Sequence, residues 1–256
     1  MERRGSRCPA VLVGALALIA WVGAAISIGA ERSLARTVTV QVVAAEALGG
    51  NEIWKVDIVR LLMDVNPLLV EVAGIKLKIG SYAYWDPGPD GEGRADARAG
   101  RTLKSLLPGM RRHLVASGRS GCDIVVGLIP EGPEGPVSPG IADYLNGIVI
   151  IKYLKANGGM AYVMLHEICH LFGAIDLQET GSVMSLRRPS FRIDGFTKAI
   201  MRANRGRSFR PRESPLPEKH ILEAIALYEG RQALGLGEDQ LIICLGTLRA
   251  IQSAQR

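Results

Sequence analysis

His166, Glu167, His170, Gly173 and Asp176 stand at spacings that could hold a metal ion and act on water. Two histidines four residues apart share one face of a helix, so both imidazoles reach a single ion, and Glu167 lies close enough to hold a proton of a water at that ion. Gly173 lets the helix stop in a left-handed turn, which swings Asp176 back toward the same point as a third ligand. Three protein ligands leave a fourth position open, and an open position separates catalytic from structural zinc. Met184 follows within Gly181-Ser182-Val183-Met184-Ser185.

The string His166-Glu167-Ile168-Cys169-His170-Leu171-Phe172-Gly173-Ala174-Ile175-Asp176, with Met184 soon after it, resembles the metzincin signature H-E-x-x-H-x-x-G-x-x-H/D and its methionine turn. The resemblance implies zinc held by His166, His170 and Asp176, with Glu167 as general base, Gly173 as the turn and Met184 beneath the metal. Asp in place of the commoner third His is similar to the minority typified by snapalysin-like enzymes. No Tyr follows Met184 within two residues, so the tyrosine some relatives bring to the site is absent there. The resemblance further implies that the strand before the zinc helix is an antiparallel edge on which extended substrate lies. Ile148, Val149 and Ile150 are then expected to offer main-chain hydrogen bonds to a peptide, a form of strand addition. A plain structural edge strand remains the alternative. Arg187 and Arg188 stand where metzincins begin the wall of the primed-side pocket, and are expected to favour acidic or polar substrate residues.

The elements that must position these groups are legible in outline. Val38, Val40 and Val42 alternate with polar residues as in a half-buried strand, and Trp54, Ile58, Leu61, Leu62 and Val65 recur at helical spacing up to a break or restart at Asn66-Pro67. Ile75, Leu77 and Ile79 predict a second strand, residues 103–116 a helix that Pro108 kinks or starts, and residues 124–129 and 148–151 two short buried strands. The zinc helix is expected from about residue 159 to 172, behind a possible Asn157 cap. Residues 86–100 and 130–140 are rich in Gly and Pro and predict loops. This order predicts an α/β domain of the α+β kind, a metzincin-like mixed sheet with an active-site helix and a substrate cleft, over residues 37–212. Ser214-Pro215-Leu216-Pro217 then leads into a helical C-terminal extension, residues 213–256, with helices expected at 218–234 and 238–254.

Residues 8–30 are an uncharged apolar run of 23 residues preceded by Arg3, Arg4 and Arg7. That exceeds a signal-peptide core and matches the roughly 20 residues that span a bilayer, so a transmembrane signal anchor behind a cytoplasmic tail, residues 1–7, is the favoured reading. A signal peptide cleaved after Ala30 is the alternative, and under both readings the catalytic part is exported, either anchored or secreted. Of four cysteines, three (Cys122, Cys169 and Cys244) lie outside this run; the odd number and the lack of C-x-x-C exclude a disulfide framework and a zinc knuckle. Cys169 is expected to be a small buried apolar residue and no nucleophile.

The formal charge of +6 is uneven: residues 187–212 hold nine basic side chains against the single acid Asp194. A solvated face is the ordinary account of such a run, and without interleaved aromatics no nucleic-acid partner is expected. The sequence therefore predicts a zinc-dependent endopeptidase acting on a protein or peptide, with the membrane as second partner through residues 8–30. The alternatives are a membrane-tethered, non-catalytic zinc-containing binding module, and zinc amide hydrolysis of a non-protein substrate. Glu167 argues against the module, since a structural site has no use for a carboxylate beside an open position.

Overall fold

Strands β1 (Arg36–Ala45), β3 (Ile124–Pro130) and β5 (Ile148–Tyr153) are near-continuous apolar runs, the composition that strands covered on both faces require. With β2 (Ile75–Trp85) and β4 (Gly140–Asp143) they build a five-stranded mixed sheet of order β2-β1-β3-β5-β4. The neighbours are parallel except β4, which runs antiparallel to β5 along the outer edge. The structure, a computed structural model, describes residues 35–87, 103–118, 120–130, 139–154, 158–177, 181–185, 190–209, 218–233 and 239–254.

Strand alternation sorts the core into two layers. Val149 and Ile151 face the same side as Val126 and Leu128, under α1 (Ile53–Ala73) and α3 (Gly158–Leu171), whereas Ile148 and Ile150 join Val125 and Trp85 under α2 (Leu107–Ser117). The protein is thus a mixed α/β sheet with helices on both faces. Helix α4 (Gly195–Ala203) packs beside α1, and the last two helices, α5 (Glu218–Ala233) and α6 (Asp239–Ala254), add Ile221, Ala224, Tyr228, Leu241 and Leu248 to the first layer. Residues 36–256 form one compact unit.

Two expectations are corrected here, and one left open is settled. Strand β5 is not an edge: Ile148, Val149 and Ile150 pair with Val125, Val126 and Gly127 of β3 on one side and with Asp143, Ala142 and Ile141 of β4 on the other. Their main-chain groups are committed to the sheet, so they are not where a peptide could add. The edge is β4, which begins at the last residue of the expected 130–140 loop, and among the described residues it has no second neighbour. Helix α1 also does not break at Asn66-Pro67. Pro67 has no N–H to give the carbonyl of Met63, but it lies inside the helix on a stretch where Met63 is 70% exposed, so the helix runs on through it. Asn66 meanwhile donates to the Leu77 carbonyl (3.0 Å) and accepts from its N–H (2.7 Å), tying the helix to β2. Pro108 sits in the first turn of α2 and so marks a start, where its missing N–H costs nothing. The expected anchor at residues 8–30 and the Asn157 cap lie outside the described residues; among those described, no helix is long and apolar enough to cross a membrane.

Candidate metal centre

Helix α3 carries His166, Glu167 and His170 on its last turns and ends at Leu171. The N–H of Gly173 returns to the His170 carbonyl (2.9 Å) and that of Ala174 to the Cys169 carbonyl (3.0 Å), while Gly173 takes φ +90°, a left-handed conformation that only glycine enters without strain. The chain reverses there, and Asp176 arrives at both imidazoles. Its Oδ1 lies 3.3 Å from His166 Nε2 and 3.4 Å from His170 Nε2, and the two Nε2 atoms are 3.1 Å apart.

This triangle has the dimensions of one face of a zinc tetrahedron. Ligands bound at about 2.0–2.1 Å stand about 3.3–3.4 Å from one another in tetrahedral geometry. Its chemistry fits as well. His166 Nδ1 is 2.8 Å from the Val183 carbonyl and His170 Nδ1 is 2.8 Å from the Ala174 carbonyl. A carbonyl oxygen only accepts, so both Nδ1 atoms carry the proton and both Nε2 atoms present lone pairs to the centre. Two lone pairs and a carboxylate oxygen converging at these distances repel one another unless a cation lies among them. Among the described residues, His166, His170 and Asp176 are the one set of three such groups so disposed.

The same crowding shifts the acid–base balance of the ligands. Without a cation in the triangle, burial opposes the charged form of His166, but the Asp176 carboxylate as acceptor and the charge of Glu167 outweigh it and hold the imidazole above its ordinary value. Burial also opposes ionisation of Asp176, yet in the same metal-free state the imidazoles of His166 and His170, able to take up a proton beside it, hold its carboxyl well below the usual carboxylate range. Glu167 is 4% exposed, and burial raises its pKa against the lowering charge of His170 and His166. Cys169 is buried, its thiol pushed up by desolvation, and takes no part in the triangle.

Glu167 owes its place to β4. A Cβ on Gly140 would lie 2.7 Å from both Cγ and Oε1 of Glu167 and 2.8 Å from Val163 Cγ1. The edge strand and the carboxylate therefore fit together only because residue 140 has no side chain.

The turn after the ligands is held by a second set of bonds. Met184 is fully buried; its carbonyl accepts from the N–H of Leu177, the residue after Asp176 (2.8 Å), and its N–H reaches Ser182 Oγ (3.2 Å). Ser182 Oγ donates to Asp194 Oδ2 (2.6 Å), and Asp194 caps α4 by accepting from the Thr197 N–H (2.8 Å) and hydroxyl (2.6 Å). Asp194 was legible only as the lone acid in a basic run; it is the joint between the methionine turn and α4. Tyr162, one turn before His166, was also missed. Its hydroxyl donates to the Val183 carbonyl (2.7 Å), the same oxygen that orients His166, and burial first, then the charges of Asp176 and Glu167, pushes it up to about 12. Its i, i+4 relation to His166 was the available signal. Arg187 and Arg188 lie outside the described residues.

No protein-family model matches the sequence, and no curated protein matches it. Several solved structures are similar in backbone. Archaemetzincin from Methanopyrus kandleri is 18% identical with a TM-score of 0.46, over 64% of this chain and 93% of that one. A zinc-dependent peptidase from Methanocorpusculum labreanum is 14% identical with a TM-score of 0.42, over 63% of this chain and 99% of that one. A chain of a chaperone–substrate complex is 16% identical with a TM-score of 0.45, over 66% of this chain; this chain spans only 34% of its length. Likenesses of this degree establish neither a family nor an activity.

Proposed function

We propose that this chain is a zinc-dependent endopeptidase of the metzincin type, with His166, His170 and Asp176 as ligands and Glu167 as general base. The observation that supports it best is the triangle of lone pairs: three ligand atoms 3.1–3.4 Å apart, both imidazoles turned by backbone carbonyls so that Nε2 faces inward. Zinc there would supply Lewis-acid chemistry, polarising a carbonyl and lowering the pKa of a water.

The remaining steps belong to the protein. Glu167 takes a proton from the attacking water and passes it to the leaving amine, and its burial keeps bulk water from competing for that proton. Strand β4, the outer antiparallel strand of the sheet, passes Glu167 at Gly140 and is the strand alongside which an extended peptide would run. Asp176 supplies a negative third ligand where most metzincins have a neutral one, which leaves the centre less positive and makes modest turnover the expectation. The apolar run at residues 8–30 would anchor the domain on the exported side of a membrane.

The test is incubation of the full chain with a proteome-derived peptide library, with and without a zinc chelator. Cleavage that the chelator abolishes and added zinc restores is expected. Stoichiometric zinc without cleavage of any peptide favours the non-catalytic binding module instead.

A further inference from the structure

The loop between the second and third ligands is closed from the far end of the chain. Tyr228 on α5 is fully buried, and its hydroxyl donates to the carbonyl of Gly173 across 55 positions of sequence. A Cβ at Gly173 would meet that hydroxyl at 2.8 Å and Asn204 Nδ2 at 2.8 Å, so the left-handed turn is seated in a cradle made by α5 and the C-terminal end of α4. Asn204 is itself fixed, its Nδ2 donating to the Ile200 carbonyl (3.0 Å). The Tyr228 ring is held edge-on by Phe196 of α4 at 6.0 Å.

We infer that Tyr228 is a positioning residue for the metal centre, and that α5 and α6 form part of its supporting frame. This assignment rests on reading His166, His170 and Asp176 as metal ligands. Gly173 O is the acceptor at the point where the chain reverses, three residues after His170 and three before Asp176. Ala174 O, one residue on, orients His170. Fixing the Gly173 peptide plane therefore sets two things at once: the direction of the His170 ring and the return of Asp176. Helix α4 works as a strut between the two ends of the site, hydrogen-bonded to the methionine turn through Asp194 and Ser182 and closely approached by the ligand turn at Asn204, and α5 bonds that turn from the other side. Partners of this kind orient ligands and contribute to metal affinity without touching the metal.

Tyr228→Phe removes the hydroxyl and keeps the ring that packs on Phe196. In the full chain, zinc affinity measured by competition with a chromophoric chelator is expected to fall about 10-fold or more, and the visible bands of the Co²⁺-loaded variant to change in intensity, with the far-ultraviolet circular dichroism unchanged. A general loss of stability would not alter the spectrum of a fully loaded, folded sample. Equal zinc affinity and an identical Co²⁺ spectrum in wild type and variant overturn the assignment while leaving the metal site standing. A wild-type chain that takes up no zinc overturns the site reading and this assignment together. If the variant does not fold, amide exchange of the wild type decides: the Ala174 and Leu177 amides are expected to open together with those of α5, with the same urea dependence, and independent opening of the two overturns the coupling.

Discussion

Gly140→Ala separates the general base from the metal more cleanly than substitution of any ligand. The added Cβ would stand 2.7 Å from Glu167 Cγ and Oε1, about 0.7 Å inside the 3.4 Å at which ordinary contact begins, and 2.8 Å from Val163 Cγ1. Gly140 does not occupy a left-handed conformation, so alanine brings no backbone strain there, and the overlap falls on the carboxylate side chain. Since a 1 Å misplacement of reacting groups costs about 100-fold, the expected loss in kcat/KM is about 10- to 100-fold. That corresponds to about 1.4–2.7 kcal/mol of transition-state stabilisation. Overpacking against Val163 should lower stability by about 1–3 kcal/mol. None of His166, His170 and Asp176 is among the nearest neighbours of the new Cβ, so zinc affinity should stay within about twofold. The assay is kcat/KM on a quenched fluorogenic peptide, with metal content and melting temperature measured on the same sample. Activity within twofold of wild type in a folded, zinc-loaded variant would refute the placement of Glu167 against β4 as a condition for catalysis.

Asp176→Ala should weaken zinc binding at least about 10-fold while Asp176→His retains metal, as read by chelator competition; full affinity in the alanine variant removes Asp176 from the ligand set. Asp194→Ala should cost about 1–2 kcal/mol, because it strips the cap from α4 and leaves Ser182 without its acceptor. Burial opposes ionisation of Asp194, but hydrogen bonds from Ser182 and Thr197 depress its pKa, so its contribution is full above the ordinary carboxylate value of about 3.9 and vanishes as pH falls through the lower folded value. The gap in melting temperature between wild type and variant should accordingly be constant near pH 6 and close in acid; a gap that widens in acid contradicts the sign. Intact-mass analysis of the native protein should retain Met1 or Glu2, as an uncleaved anchor requires, and a mature N-terminus at Glu31 would replace the anchor with a cleaved signal.

The ligand spacing was legible because His166 and His170 are related by the helix repeat alone, and Gly173 by a single turn, so no distant part of the chain had to be known. Strands β3 and β5 were legible because burial on both faces leaves an uninterrupted apolar run. Strand β4 was not, since Gly140-Ile141-Ala142-Asp143 has little apolar bulk and its conformation comes from pairing with β5. The hairpin signal Asn146-Gly147 ahead of Ile148 was the clue to it, and would also have moved the free edge from β5 to β4. Asn66-Pro67 read as a break or a restart because proline breaks helices in general; that Asn66 there ties the helix to Leu77 of β2 depends on tertiary placement. Asp194 carries a local signal, the cap of α4 over Thr197, but not its bond to Ser182; Tyr228 and Asn204 were illegible for another reason. The roles of these two consist of a hydrogen bond and a close approach to Gly173 from elements distant in sequence, which no local pattern encodes.

Glu167→Gln bears most directly on the proposed activity. The substitution keeps size and some hydrogen bonding in the buried position but cannot accept the water's proton, so zinc content should remain at one ion per chain while kcat/KM on a library-derived peptide falls about 100-fold or more. Metal and turnover must be measured on the same preparation. Equal turnover by wild type and Glu167→Gln, both zinc-loaded, would contradict the account, and equal absence of turnover across a broad library would leave a zinc-binding module in place of a peptidase.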